Sequence, residues 1–212
     1  MAKQWLYGDS WEKYPIEKGE IWQAGHGRVA VANIFNPLPS FMADADLIFV
    51  DPPWNLGNVN SFYTKAGRRD HLTGFEQFIS MLFFRLNKIA PQTLYIEMGN
   101  QYADQFFKLL PLPNKQRWPV TYYKKHPTNL LRCSNLGPTA VDYVGIDEAD
   151  CIKLIAKDET YNVIGDLCMG RGLVGIAAQR NGRAFVGTEL NKRRLACLLS
   201  AVAKLGGEVK RL

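Results

Sequence analysis

Asn162-Val163-Ile164-Gly165-Asp166-Leu167-Cys168-Met169-Gly170-Arg171-Gly172-Leu173-Val174-Gly175, running on into Ile176-Ala177-Ala178, reads as a short buried strand, a glycine loop and the first turns of a helix. Gly170 and Gly172 let the backbone approach a ligand closely, and a helix starting near Leu173 turns the positive end of its dipole toward a carboxylate. A second apolar run, Ala184-Phe185-Val186-Gly187-Thr188-Glu189, ends in an acid 23 positions after Asp166. An acid so placed characteristically grips ribose hydroxyls. Strand, loop, helix, strand and acid together indicate an α/β fold that binds a nucleoside-containing cofactor, with Gly170, Gly172 and Glu189 at the binding site. The loop by itself serves nicotinamide and flavin cofactors equally.

Far upstream, the apolar run Ala45-Asp46-Leu47-Ile48-Phe49-Val50 leads into Asp51-Pro52-Pro53-Trp54. Asp51 and the Pro52 carbonyl can both accept hydrogen bonds from an exocyclic amine, and Trp54 can stack on the base that carries it. Proline has no N–H, so two in succession stiffen the turn and leave carbonyls for a substrate. The structural alternative is a Pro-Pro turn ending a buried strand, with Trp54 packed in the core. It carries comparable weight on the tetrapeptide alone.

The two motifs together resemble those of the S-adenosylmethionine-dependent amino-methyltransferases. Their base-binding motif is Asp/Asn/Ser-Pro-Pro-aromatic and their cofactor motif Asp-x-Phe-x-Gly-x-Gly. The base motif lies N-terminal to the cofactor loop here, and Asp51-Pro52-Pro53-Trp54-Asn55-Leu56-Gly57 is similar to the extended motif of the circularly permuted beta class of DNA adenine and cytosine amino-methyltransferases. The resemblance implies a Rossmann-like methyltransferase fold with a mostly parallel twisted sheet and helices on both faces. It also implies S-adenosylmethionine as cofactor, with Asp166 and Cys168 joining the glycines and Glu189 around it, DNA as substrate, and Asp51, Pro52, Pro53 and Trp54 as the catalytic corner for methylating adenine by base flipping, without a metal. Asp at position 51 is the family's tendency for adenine. Trp at position 54 is also typical of the family that writes methyladenosine in messenger RNA, which keeps RNA as an alternative polymer.

Departures from the pattern are Cys168 where the class has Phe, Arg171 where it has Ser, and Leu173 where it has Thr. They remove an aromatic wall and add a cation beside a cofactor that is itself cationic. A non-catalytic methyltransferase-like subunit is therefore one rival, and a dinucleotide-dependent oxidoreductase another. His126-Pro127-Thr128 looks like the start of a further family motif but lies 40 positions before Asp166, too far to carry its role over.

The 212 residues are 47% hydrophobic and 22% charged, with apolar segments spread throughout, which suits a single domain spanning residues 1–212. No run approaches the roughly 20 apolar residues of a membrane helix, and no secretory layout opens the chain, so an intracellular location is expected. Cys133, Cys151, Cys168 and Cys197 show no metal-ligand spacing, which argues against zinc and disulfides. A net charge of +6 favours a polyanionic partner. Lys65, Arg68 and Arg69, and Lys124, Lys125 and Arg132, are the expected phosphate contacts. Only residues 58–73 and 124–138 are free for target recognition, which implies relaxed specificity, a homodimer or a specificity partner.

A polar, aromatic-containing lead over residues 1–20 precedes a short strand over 28–34. Apolar spacing predicts a helix over 74–90, closed by Pro91, then a strand over 93–98 and a helix over 101–110. A pair of strands over 118–123 and 141–146 is expected across a loop, then a helix over 147–157 with Asp147 as N-cap. Glu97, ending its strand, can reach the site, though a capping or salt-bridge role is the favoured expectation.

Overall fold

The structure is a computed structural model and describes residues 7–212; the first six residues of the expected lead lie outside it. The central strands are short, largely apolar and buried along nearly their whole length, the pattern of strands covered on both faces. In chain order these and their flanking strands are β1 (Ile21–Ala24), β2 (Gly27–Val31), β3 (Leu47–Val50), β4 (Thr93–Gly99), β5 (Asn114–Tyr122), β6 (His126–Ser134), β7 (Val163–Asp166), β8 (Ala184–Glu189) and β9 (Val209–Arg211). They form one sheet in the order β5-β6-β4-β3-β7-β8-β2-β1-β9. The five from β4 to β2 are parallel, while β6 and β5 extend one edge antiparallel and β1 and β9 the other.

The helices are α1 (Ser10–Lys13), α2 (Leu56–Lys65), α3 (Phe75–Ile89), α4 (Ala103–Leu109), α5 (Glu148–Asp158), α6 (Leu173–Arg180) and α7 (Lys192–Lys204). Strand alternation divides the apolar residues into two cores. Leu47 and Phe49 of β3 join Ile155 of α5, Ala177 of α6 and Leu198 of α7 on one face. Ile48 and Val50 join Val59 of α2, Phe78 and Leu82 of α3 and Phe106 of α4 on the other. Helices on both faces follow from this partition. The helix expected over 74–90 runs from Phe75 to Ile89, and Ala90 ends it in the left-handed region at φ 52°. β3 leads toward β4 on one side while β7 leads toward β8 on the other, so their adjacent C-terminal ends form a switch point where open α/β sheets bind ligands.

The expected pairing of residues 118–123 with 141–146 is corrected. β5 pairs with β6 through a tight turn, from Asn114↔Ser134 to Tyr122↔His126. The intervening segment holds Leu130, Leu131 and Cys133 fully in the core, and burying them between β5 and β4 outweighs its polar composition. Residues 141–146 form no strand; they place Tyr143 in the core and meet β5 only at their end, where the Thr121 N–H donates to the Ile146 carbonyl (3.0 Å), the Gly145 N–H donates to the Pro119 carbonyl (2.9 Å) and a bridge joins Thr121 to Asp147. Asp147 stands at the cap position of α5, but its carboxylate is directed elsewhere. Oδ1 accepts from the Lys124 N–H at 2.5 Å and from the Thr121 hydroxyl at 3.2 Å. Residues 58–65 also fail to form an open recognition segment, because Val59 and Tyr63 of α2 are buried.

Arg132 is the clearest correction among the expected phosphate contacts. It is 2% exposed, its Nε donates to Glu159 Oε1 (3.1 Å) and the Tyr95 hydroxyl (3.0 Å), and its Nη1 donates to Gln116 Oε1 and the Gly137 carbonyl. A guanidinium with all these partners anchors the β5–β6 edge and is closed to DNA. Arg132→Ala strands Glu159 and Tyr95 and is expected to cost about 3–5 kcal/mol. Urea denaturation checks this; a midpoint unchanged from the parent would show that the network is not holding the edge.

Candidate active site

Asp51 leaves the C-terminal end of β3, and the two prolines that follow turn the chain so that Trp54 folds back on it. The Trp54 indole N–H donates to Asp51 Oδ1 at 3.1 Å, leaving Oδ2 free to accept from another group. Asn55 then caps α2, its side chain accepting from the Asn58 N–H at 2.9 Å. The tryptophan is seated against Gly99, where a Cβ would stand only 3.1 Å from the indole ring. Its other neighbour is Tyr122, edge-on with centroids 4.9 Å apart.

Beside Asp51 lie two acids from separate elements, Glu97 of β4 and Glu148 at the start of α5. Oxygens of the three carboxyls fall within 4.8 Å of one another. At that spacing, two full charges would repel by about 3–4 kcal/mol for an effective dielectric constant of about 20. The cluster therefore does not carry three charges. Burial pushes Asp51 up to about 7, held back by the Trp54 hydrogen bond and the Arg194 charge. Burial, then the charge of Asp51, pushes Glu97 up to about 10 and Glu148 up to about 8. Glu97 is 1% exposed and reaches the site beside Asp51, as its strand-end position allowed, and among the described residues it forms none of the salt bridges that were the favoured expectation. Its Oε1 accepts from the Thr128 hydroxyl at 2.7 Å, while Oε2 is buried without a donor. A proton on either Glu97 or Glu148 would let the two carboxyls pair. The same three oxygens are spaced to share a hard cation.

The glycine loop lies at the end of the adjacent strand. Asp166 Oδ1 accepts from the Cys168 N–H at 2.9 Å, and Glu189 accepts from the N–H groups of Gly170 at 2.7 Å and Asn191 at 2.8 Å. The two acids thus shape the loop between them, each keeping spare lone pairs. Burial raises the pKa of both, and that of the Cys168 thiol. Gly172 opens α6 at φ 84°, and a Cβ there would meet Leu198 at 2.5 Å, so both backbone and packing require glycine. The Arg194 guanidinium sits 4.8 Å from the Phe62 ring and opposes the rise at both Asp51 and Glu189.

One cavity of about 820 Å³ joins the two motifs. Asp51, Pro52, Pro53, Trp54, Asp166, Cys168, Gly170 and Glu189 all line it. Gly172 does not; its part is to let α6 start against α7. The aromatic wall expected to be missing at Cys168 is supplied from elsewhere, since Phe49, Phe62 and Phe78 line the cavity, and Arg171 lines it as expected. Glu148, Tyr122, Tyr123 and Arg194 line it too and escaped the sequence reading. Only the aromatic run Tyr122-Tyr123 carried any signal.

None of the expected basic residues lines the cavity itself, though two of them lie against aromatic residues that do. Lys65 extends over the Phe62 ring, and Arg68 lies over Tyr63 while pairing with Asp70. Arg69, Lys124 and Lys125 are exposed.

No protein-family model matches the chain, and no curated protein sequence matches it. Solved structures do. TTHA0409 of Thermus thermophilus, described as a putative DNA modification methylase and solved with S-adenosyl-L-methionine, superposes with a TM-score of 0.56 at 18% identity, covering 84% of this chain and 95% of that one. M1.HpyAVI in complex with SAM gives 0.55 at 13%, covering 83% and 99%. The PvuII DNA methyltransferase, cytosine-N4-specific, gives 0.55 at 12%, covering 91% and 98%. These likenesses establish the fold: the chain has the Rossmann-like α/β fold of these methyltransferases.

Proposed function

We propose that this protein is an S-adenosylmethionine-dependent methyltransferase acting on the exocyclic amino group of adenine in DNA. The observation that carries the reading is that Asp51-Pro52-Pro53-Trp54 and the Asp166–Glu189 loop, 115 positions apart from Asp51 to Asp166, open into one cavity at the switch point of the sheet. The structural neighbours solved with this cofactor support its choice. The cavity suits it: two acids stand at its loop end, Gly170 has nothing within 3.4 Å of where a Cβ would be, and Phe49 and Phe62 give apolar walls. The order of the motifs agrees with the permuted beta class.

Bound S-adenosylmethionine would supply an electrophilic methyl group. The chain's part is to hold the base. Asp51 Oδ2 accepts one amine hydrogen and the Pro52 carbonyl the other, which turns the nitrogen lone pair out of the ring. Trp54 holds the ring plane and keeps the Asp51 carboxylate oriented through its indole N–H. After transfer, the ionised Asp51 takes the proton that the amine releases. A partner or second copy supplying target recognition fits the small area left open after α2 and β6 are accounted for.

The reading is tested by methyl transfer from labelled S-adenosylmethionine to unmethylated duplex DNA, single-stranded DNA and RNA, with nucleoside analysis. Label in N6-methyladenine of DNA is the expected result. Label in N4-methylcytosine would move the assignment to the specificity of the PvuII enzyme, and label in RNA alone would change the polymer. Absence of both transfer and cofactor binding would favour the non-catalytic subunit.

A further inference from the structure

The turn joining β5 to β6 is unusual in its chemistry. Lys125 N–H donates to the Tyr122 carbonyl, and the two central residues, Tyr123 and Lys124, have φ of 51° and 56°. Three residues join the strands, and the 122–125 turn within that connection has positive φ at both central positions, which Asn-Gly ordinarily fills because positive φ crowds a Cβ. Here a large aromatic residue and a lysine occupy them, and the Asp147 carboxylate braces the turn by accepting from the Lys124 N–H. Tyr123 is also 70% exposed, so burial does not account for its presence. Non-glycine residues held in such conformations mark sites where the backbone has been set for a task.

The position of the turn indicates the task. Trp54, Tyr122 and Tyr123 form a continuous aromatic run, with successive centroids 4.9 and 4.4 Å apart, leading from the catalytic motif to the outside. Tyr122 and Tyr123 both line the cavity. Lys124, Lys125 and His126 are exposed beside the tip. An exposed aromatic ring on a basic hairpin at the mouth of the cavity has the features of a wedge. Side chains of this kind enter a base stack while flanking cations hold the phosphates.

We infer that the β5–β6 hairpin tip is a duplex-opening wedge, in which Tyr123 occupies the space an extruded base leaves in the stack and Lys124 and Lys125 hold the flanking backbone. The inference rests on the DNA reading above and adds to it the element that makes a paired base available. Tyr123 is a positioning residue, not a catalytic one: it acts on the duplex, and its contribution vanishes where the base is already unpaired.

The test compares the parent protein with Tyr123→Ala and Tyr123→Phe on unmethylated genomic DNA, native and heat-denatured, in single-turnover methyl transfer. Permanganate reactivity of thymines left without a partner, read by primer extension on the native DNA, reports opening independently of transfer. Tyr123→Ala should lower the ratio of the native to the denatured rate about tenfold or more and lose the permanganate signal, while Tyr123→Phe keeps both at the parent level. Equal rates for Tyr123→Ala and the parent on native DNA would overturn the wedge, as would equal losses on both forms. A parent protein that opens DNA without methylating it would sink the proposed reaction and leave the wedge standing; one that methylates with the permanganate signal unchanged by Tyr123→Ala would do the reverse.

Discussion

Asp51→Ala is expected to lower single-turnover methyl transfer by about 10²–10³-fold, with the affinity for S-adenosylmethionine nearly unchanged. The separation follows from where the parts lie. Asp51 stands at the end of β3, hydrogen-bonded to Trp54, while the acids that shape the glycine loop, Asp166 and Glu189, belong to β7 and β8. Removing the Asp51 carboxylate therefore leaves the loop's own hydrogen bonds intact. It deletes the acceptor that aims the amine, an interaction made strongest as charge develops on nitrogen. Isothermal titration with the cofactor and rapid-quench methyl transfer together check this. Parallel losses in both would place Asp51 at the cofactor and not at the base.

The same residue sets a pH dependence. With Asp51 pushed up to about 7, its ionised, accepting form grows as pH rises through that value, so the transfer rate should climb from about pH 6 to about pH 8.

The two motifs were legible because each is continuous in sequence and each has its own local geometry: a strand running into a Pro-Pro turn, and a strand running into a glycine loop. Their meeting in one cavity was legible only through the family resemblance, since nothing in the long interval between them states that β3 lies beside β7. What comes from other elements was mostly lost, although Glu97 was legible as within reach of the site. Glu97 and Glu148 look like ordinary acids at a strand end and a helix start, and only the order β4-β3-β7, with α5 packed on that face, brings them against Asp51. Arg132 was misread for a related reason. In a basic cluster along the sequence, an exposed lysine and an arginine drawn into the sheet look alike, and β6 is buried on both faces from Thr128 onward. The hairpin escaped because its turn lacks the glycine that normally announces one.

Glu97→Gln is expected to stabilise the protein, and more so at higher pH. The sign follows from linkage. Glu97 is raised in the folded protein from 4.5 to about 10, so between those values the folded state binds a proton that the unfolded state has released. The contribution of this group is fully present below about 4.5 and is lost progressively as pH rises toward 10. Glu148, raised to about 8, declines in the same direction. Glutamine needs no proton to be neutral. Its carbonyl can still accept from the Thr128 hydroxyl, and its amide puts a donor where Oε2 now has none, facing Glu148 and Asp51. The substitution should therefore be nearly neutral at about pH 5 and worth about 1–3 kcal/mol at about pH 8.5, a rise in Tm of about 2–4 °C for each kcal/mol in a chain of this size. Thermal unfolding at the two pH values decides it. A gain in Tm equal at both would mean that packing, and not the proton, is what the glutamine improves; a loss at the higher pH would mean that the charge on Glu97 is held by a cation that the amide cannot bind.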